Sequence, residues 1–440
     1  MRLGGLLVLV GVLIAVALAG SARARGARPV RAAEIGAETR AGEVLVELRE
    51  PALAESVAAR AGAALSGMAG RRVHLLRVPA GQEYARAAEL RLDPDVVAAA
   101  PNYVRRAQAL PDDPLVDAQW ALDRIGMPSA WDVTAGDESI AIAILDSGAD
   151  LEHPDLAPKL LPGANTLGAD PDSGSDCPPT SDARDDFGRG HGTHVAGIAA
   201  AATGNGIGVA GVAWRPRVIP VKVLDCNGQG TDTQVIAGID WAVAAGARVI
   251  NLSVGGPGQS DVLDAAVERA YRAGVIVIAA AGNAGTDVPY YPAASPFALA
   301  VGATDAEDRL AWFSNRGDYI AVVAPGVSIL STYPRELSDW NLQPGYQYKS
   351  GTSMASPQVA GLAALILSQH PTYGPGRVGG IIRATAEKIY SCPLGVTNCP
   401  YDLDGRNQWY GSGRINAAAA VRMSVVTILS LVPRRAPLSP

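Results

Sequence analysis

The chain has 440 residues, of which 48% are apolar, and a formal net charge of −6. This length and apolar content suit one large domain or two unequal domains with a sizeable core, and the negative charge argues against nucleic acid as the main partner. After the N-terminal region, no stretch is long and apolar enough to span a membrane.

The N-terminus has the pattern of a secretory signal. Met1 and Arg2 precede an apolar run over 3–19, and small residues follow to Ala24. The alternative is an uncleaved membrane anchor, but the run is shorter than the usual spanning length, which favours cleavage. We therefore expect a signal peptide over 1–24, a linker over 25–40 and a secreted, extracellular protein without a membrane span after cleavage.

The next segment, 41–108, predicts a small α+β domain. The alternation of apolar and polar residues over 43–48 is typical of a half-buried strand, and 53–65 is Ala-rich and helical. A second strand over 72–78, a helix over 84–90 and a strand over 96–104 complete the prediction. A charged, loop-like junction over 105–113 separates this domain from the remainder.

From Ile140 onward, continuous apolar runs replace the alternating pattern, as expected for strands buried on both faces. These runs occupy 140–145, 218–224, 248–254, 275–281, 298–303 and 320–324. Helical stretches lie between them, among them 231–245, which stops at Gly246, and 261–273, for which Ser260 is the expected N-cap. This alternation predicts a three-layer α/β/α domain with a mainly parallel central sheet over 109–422, followed by a tail over 423–440.

Polar residues follow several of these predicted strands. Asp146 ends the first run, Ser253 ends the third and Asn283 follows the fourth. In parallel sheets of this kind, active sites form beyond the carboxyl ends of the strands. We therefore expect these residues to meet at one edge of the sheet.

Ser353 lies in the segment 351–357 (GTSMASP), between a turn of small residues and an apolar helical run over 358–367. A serine hydroxyl is a weak nucleophile that needs a base and an acid that orients the base. His191 opens the segment 191–197 (HGTHVAG). A structural or metal-binding histidine is the alternative, but His191 and His194 are three residues apart and no Glu lies between them, unlike a zinc helix.

These residues predict a catalytic triad. His191 would accept the Ser353 proton, Asp146 would orient the imidazole, and His194 would be structural. The Ser353 N–H and the Asn283 side-chain amide would bind the oxyanion.

The order Asp146, His191, Ser353, together with 280–283 (AAGN), resembles that of the subtilisin-type (subtilase, peptidase S8) serine proteases. The resemblance covers about residues 112–420 and implies a monomeric serine endopeptidase of broad specificity that acts on proteins and peptides. The early domain resembles, more weakly, the family's inhibitory pro-domain. It would assist folding and block the cleft as an intramolecular inhibitor until self-cleavage between about Arg105 and Leu110.

Further residues carry over from the resemblance. Two segments, Gly228-Gln229-Gly230 and Ser253-Val254-Gly255, resemble those that pair with the substrate backbone as added strands. Tyr290 stands where relatives often have a small residue at the base of the main specificity pocket, so we expect a shallower or altered pocket. Gln358 replaces the histidine usual in the family, and we expect little effect on the chemistry.

The resemblance also implies a structural Ca²⁺ site. The residues that resemble the family's high-affinity calcium loop are Asp155, Thr203, Asn205, Ile207 and Val209, with Asp113 as a further contributor. A carboxylate together with amide and backbone oxygens suits calcium. The alternative is a loop that folds without a metal.

The four cysteines, in an exported protein, predict two disulfides, for which three pairings exist. Cys392 and Cys399 bracket a short loop and are expected to pair, which leaves Cys177 with Cys226. A metal site is the alternative, but no Cys-x-x-Cys is present.

Two other classes of function stay open. One is a catalytically inactive relative that binds peptides. The other is an esterase or lipase of the α/β-hydrolase type, which would need Gly-x-Ser-x-Gly and the order Ser, acid, His; the chain has neither.

Overall fold

The computed structural model describes residues 39–104, 110–169, 181–185, 190–337, 344–393 and 395–429. They fall into two compact units, 39–104 and 110–429. The predicted signal peptide, the cleavage region 105–109 and the end of the tail lie outside the described residues, as does Cys177.

The first unit is an antiparallel four-stranded sheet, in the order β2-β3-β1-β4, that packs two helices against its core. Its elements are β1 (Thr39–Leu48), α1 (Ala54–Arg60), β2 (Ala64–Met68), β3 (Val73–Arg77), α2 (Glu83–Leu90) and β4 (Val96–Tyr103). The helix predicted over 53–65 is shorter in the structure. Gly62, at φ 59°, follows its end, and the next residues pair with β3 as a strand that the sequence analysis missed.

The second unit is built on a seven-stranded sheet with helices on both faces, and it also contains a two-stranded sheet. Its elements up to the centre of the sheet are α3 (Trp120–Arg124), α4 (Met127–Trp131), β5 (Ala141–Asp146), β6 (Ala164–Asn165), α5 (His191–Ala200), β7 (Arg217–Lys222), α6 (Asp232–Ala244) and β8 (Val249–Leu252). The remaining elements are α7 (Asp261–Arg272), β9 (Ile276–Ala280), β10 (Ala298–Thr304), β11 (Ile320–Pro325), β12 (Ile329–Thr332), β13 (Tyr346–Lys349), α8 (Thr352–Gln369), α9 (Pro375–Thr385) and α10 (Ala417–Leu429). Short 3-10 turns occupy Pro51–Leu53, Val116–Ala118, Ala157–Lys159, Leu167–Ala169 and Arg335–Leu337.

The large sheet has the order β11-β10-β9-β8-β5-β7-β6, and all its described pairings are parallel. Because side chains alternate along a strand, Ile142 and Ile144 of β5 enter the core that α5 and α8 cover, whereas Ala143 and Leu145 enter the core that α6 and α7 cover. Both faces are therefore buried, and the predicted three-layer α/β/α architecture with a parallel sheet is confirmed. A separate antiparallel pair, β12 and β13, was not predicted.

Helix α8 begins at Thr352, six residues before the apolar run that predicted it, and therefore includes Ser353 and Pro357. Proline has no N–H to donate to the carbonyl four residues earlier, which is that of Ser353. The Ser253 hydroxyl donates to this carbonyl instead, at 3.0 Å. Because of this replacement hydrogen bond, α8 continues through Pro357.

Cys392 and Cys399 form the expected disulfide, with an S–S distance of 2.07 Å. The pairing of Cys226 with Cys177 stays a prediction, because Cys177 lies outside the described residues. Within the described ranges, no helix combines the length and the apolar character that crossing a membrane requires.

Candidate active site

The candidate catalytic residues come from three different elements and meet at the carboxyl edge of the large sheet. Asp146 is the last residue of β5 and is fully buried, His191 is the first residue of α5, and Ser353 is the second residue of α8. Asn283 follows β9. His191, Asn283 and Ser353 line a single cleft of about 850 Å³.

Asp146 and His191 form a close pair, with 2.7 Å between Oδ1 and Nδ1. Because the carboxylate can only accept, Nδ1 carries the proton and Nε2 is left as the acceptor that a general base needs. Burial alone would lower the pKa of His191, but the charge of Asp146 and its hydrogen bond outweigh burial and raise that pKa above its usual value. The Asp146 Oδ2 atom is buried and has no hydrogen-bond partner among the described residues.

The Ser353 hydroxyl is oriented by the protein rather than by solvent, because the residue is only 8% exposed. Its Oγ donates to the Ser253 carbonyl at 3.3 Å, and the described contacts include no hydrogen bond between Ser353 and His191. Catalytic hydrogen bonds often form only when substrate is bound, so this geometry is compatible with a catalytic role for Ser353.

Hydrogen bonds to Thr352 determine the orientation of the Asn283 amide. Its Oδ1 accepts the Thr352 N–H at 2.8 Å and the Thr352 hydroxyl at 2.9 Å. A backbone N–H can only donate, so the oxygen of the amide must face Thr352 and the Nδ2 group must face away from it. The Ser353 N–H lies in the first turn of α8, where a helix has no internal acceptor for it. Both donors border Gly351: a Cβ there would lie 3.4 Å from Asn283 Nδ2 and 3.6 Å from the Ser353 nitrogen.

The two segments expected to bind substrate flank the cleft, and all six residues line it. Gly228, Gln229 and Gly230 belong to a tight turn in which the Asp225 carboxylate accepts the Gln229 N–H at 2.9 Å. Ser253, Val254 and Gly255 follow β8. The Ser253 side chain bonds within the protein, so only its backbone is available to a ligand.

Tyr290 also lines the cleft, next to Gly282. A Cβ on Gly282 would lie 2.6 Å from the Tyr290 ring, so the ring packs directly on the backbone that precedes Asn283. The cis peptide Tyr291-Pro292 follows, and Tyr291 pairs with Gly256. This placement fits the expected change in the pocket, which stays a prediction.

The residues of the predicted calcium loop converge on Asn205. Its N–H donates to Asp113, its Nδ2 donates to Asp155 at 2.9 Å, and its Oδ1 accepts the Ile207 N–H. Asp155 also accepts the Val209 N–H at 2.9 Å.

The charges of this loop are not balanced by a basic residue. Asp113 and Asp155 are both buried, and no Lys or Arg forms an ion pair with either carboxylate in the described part of the chain. Burial raises the pKa of both carboxyls, that of Asp155 to about 6. Two buried carboxylates suit a bound cation. The Thr203 hydroxyl, however, already donates to the Ala201 carbonyl and accepts the Gly211 N–H.

His194 is fully buried on the next turn of α5, where Nε2 lies 2.8 Å from the Gln347 carbonyl. Burial lowers the pKa of His194 to about 3, so the ring is neutral and holds α5 to β13. Among the cleft residues that the sequence analysis missed is Asp185, whose carboxylate bonds Ser147, which follows Asp146, and Thr193, two residues after His191. No local motif marks it.

Comparison with known proteins identifies the class to which this fold and site belong. Residues 137–413 match the family model described as the Subtilase family, Peptidase S8. The chain is 40% identical to thermitase of Thermoactinomyces vulgaris, over 71% of this chain and 99% of thermitase. It is 37% identical to subtilisin E of Bacillus subtilis (strain 168), over 76% of this chain and 77% of that protein.

Solved structures agree with this assignment. A protease structure from Pseudoalteromonas arctica PAMC 21717 aligns with a TM-score of 0.62 and 32% identity, over 72% of this chain and all of that one. Fervidolysin from Fervidobacterium pennivorans, a keratinolytic enzyme related to subtilisin, aligns with a TM-score of 0.60 and 27% identity, over 88% of this chain and 61% of that one.

The chain belongs to the subtilase family. It is a serine-type endopeptidase with the subtilisin-like fold, as the resemblance of its motifs predicted.

Proposed function

We propose that this endopeptidase is secreted, made as a self-processing precursor, and cuts peptide bonds through Asp146, His191 and Ser353. The observation that carries the proposal is the 2.7 Å pair between His191 Nδ1 and Asp146 Oδ1, which leaves Nε2 as a free acceptor in the cleft that Ser353 lines.

The proposed reaction begins when the Ser353 hydroxyl attacks the substrate carbonyl and gives its proton to His191 Nε2. The imidazolium that forms is stabilised by Asp146, and it then protonates the leaving amine. Water hydrolyses the acyl-enzyme by the same route in reverse.

The developing oxyanion would bind to the Ser353 N–H and Asn283 Nδ2. These donors are held in place before reaction because Thr352 fixes the Asn283 amide, and such preorganisation is worth most in a site that excludes water. The substrate backbone would pair with 228–230 and 253–255 as an added strand. This pairing reads no side chains and supports broad specificity.

We further propose the division into signal peptide 1–24, linker 25–40, inhibitory pro-domain 41–108, peptidase domain 109–422 and tail 423–440. The compact first unit has a hydrophobic core of its own, built on Val44, Val46, Leu76 and Leu90, as an independently folded pro-domain requires.

A structural Ca²⁺ would be held by the Asp113 and Asp155 carboxylates, the Asn205 amide oxygen and the carbonyls of Thr203, Ile207 and Val209. None of these three carbonyls accepts a hydrogen bond from another described residue. A cation there would neutralise two buried carboxylates and connect the segment around Asp113 to the loop after α5.

Removal of calcium tests this site. In a Ser353→Ala background, which prevents self-digestion, we expect a lower Tm in chelator than with excess Ca²⁺. Saturation at 100 times Kd stabilises a protein by about 2.7 kcal/mol. Asp155→Asn should lose the response to Ca²⁺, whereas Asp150→Asn should keep it. A Tm that does not depend on Ca²⁺ would refute the site.

Substitution of the nucleophile tests the activity. Ser353→Ala should lower kcat by on the order of 10⁶, the scale known for subtilisin itself, a member of this family. The purified precursor should also stay uncut in the region 105–110 by intact-mass measurement. Ser350→Ala, at an exposed residue that directly follows β13, is the matched control and should process normally. Normal self-processing of Ser353→Ala would contradict the mechanism.

A further inference from the structure

Asp185 is a carboxylate of the cleft wall to which neither the triad nor the substrate segments give a role. Its backbone N–H donates to the Ala149 carbonyl at 2.9 Å, so its position is fixed against the turn that follows β5. Oδ1 accepts the Ser147 hydroxyl at 3.0 Å, and Oδ2 accepts the Thr193 hydroxyl at 2.6 Å. Ser147 directly follows Asp146, and Thr193 lies two residues after His191.

The same contacts solve a problem in helix α5. The helix begins after Gly190, which has no side chain to cap the first N–H groups. Instead, the Gly192 N–H donates to Ser147 Oγ at 2.9 Å, and the Thr193 N–H donates to Asp185 Oδ2 at 3.0 Å. Ser147 and Asp185, which are bonded to each other, thus form one cap contributed from outside the helix.

This split cap joins the two halves of the catalytic pair. Asp146 is held by β5 and by the N–H of Ser147, which donates to its Oδ1 at 2.7 Å. His191 is held by the first turn of α5. Asp185 is bonded to both the turn and the helix, so a shift of α5 away from Asp146 would break its hydrogen bonds.

The charge of Asp185 also bears on His191. Burial raises the pKa of Asp185, but its three hydrogen-bond donors and the N-terminus of α5 favour the ionised form. The charges that face His191 are Asp146 and Asp185, which favour the imidazolium, and Lys349, which opposes it; His194 is neutral.

We infer that Asp185 is a positioning residue of the active site: it fixes the His191 imidazole relative to Asp146 and adds negative potential beside it. The inference depends on the proposed role of His191 as the base. It assigns to Asp185 an effect on kcat and on the protonation of His191, and no contact with substrate.

The experiment compares Asp185→Asn and Asp185→Ala with the wild type. Asp185→Asn keeps an acceptor for Thr193 but removes the charge, whereas Asp185→Ala removes both. Asp182→Asn is the matched control, since it removes one charge from an exposed side chain of the same segment. Peptide hydrolysis is measured against pH, and the downfield Nδ1 proton of His191 is titrated by NMR in the Ser353→Ala background.

We expect kcat of Asp185→Ala to fall by ~10²-fold, a loss that a displacement of about 1 Å in a catalytic group can cause, with KM little changed. Asp185→Asn should fall less. In both variants, the acidic limb of kcat/KM and the NMR titration of His191 should move to lower pH, because a negative charge that favours the imidazolium is gone. Asp182→Asn should match the wild type.

Two results would overturn the inference. One is a pKa of His191 that Asp185→Asn leaves unchanged in the NMR titration. The other is a rise in KM with kcat unchanged, which would make Asp185 a substrate contact. Because the NMR titration needs no turnover, it reports on Asp185 even if Ser353 is not the nucleophile.

Discussion

Helices α5 and α8 begin in the same way and use their first turns differently. Each follows a glycine without a side-chain cap, Gly190 and Gly351, and each places a catalytic candidate in its first turn. In α5, the Gly192 and Thr193 N–H groups are capped by Ser147 and Asp185. In α8, Asn283 caps Thr352, and the Ser353 N–H is left for a ligand.

The difference fits the chemistry proposed for each helix. A base must keep one orientation through the reaction, so the helix that carries His191 benefits from a closed N-terminus. An oxyanion forms only in the transition state, so the helix that carries Ser353 must keep an N–H unpaired until then. A glycine before the helix permits both the closed and the open N-terminus, because it has no side chain to cap the first N–H groups and leaves them to partners elsewhere in the chain.

Among the variants that test this contrast between α5 and α8, the largest effect is expected at Asn283. Asn283→Leu keeps the volume of the side chain but removes the Nδ2 donor from the open end of α8. We expect kcat to fall by about 10²–10³ with KM little changed, a scale known for the corresponding amide of subtilisin itself. Steady-state kinetics on a peptide substrate measures this.

The control for Asn283 is Thr352→Val, which removes one of the two hydrogen bonds that orient the amide and leaves Nδ2 in place. Its kcat should fall much less than that of Asn283→Leu. Equal losses in the two variants would mean that the amide acts through the packing of Thr352 and not through the oxyanion.

Much of this comparison could be predicted from the sequence, because it depends on local patterns. The continuous apolar runs predicted the parallel strands. Asp146 and Asn283 were found as polar residues that follow two of these runs. Ser260 was identified as a cap from sequence, and its hydroxyl does accept the Leu263 N–H at 3.3 Å.

Contacts between distant residues could not be predicted. Asp185 bonds Ser147, 38 residues earlier, and no spacing rule connects the two. The start of α8 was missed because Pro357 interrupts the helical pattern, and the compensating donor, Ser253, lies 100 residues from the carbonyl that it satisfies. Strand β13 was missed because its four residues pair only with β12.

The smallest expected effect is on stability, at the glycine that begins α5. Gly190 has φ 50°, in the left-handed region, and a Cβ there would overlap Pro334 and the Tyr333 ring. Gly246 is a matched control: its φ is 84°, and a Cβ there would meet nothing within 4 Å. Gly246→Ala should therefore cost only the backbone strain, about 1–2 kcal/mol.

Gly190→Ala should cost more than Gly246→Ala, because the added methyl group must also displace Tyr333 or Pro334. Denaturant unfolding of both variants in the Ser353→Ala background measures the two free energies without self-digestion. Equal losses would mean that α5 can shift to accept the methyl group. In that case the split cap of Ser147 and Asp185 would not hold the helix firmly, and the contrast between a closed α5 and an open α8 would lose its physical basis.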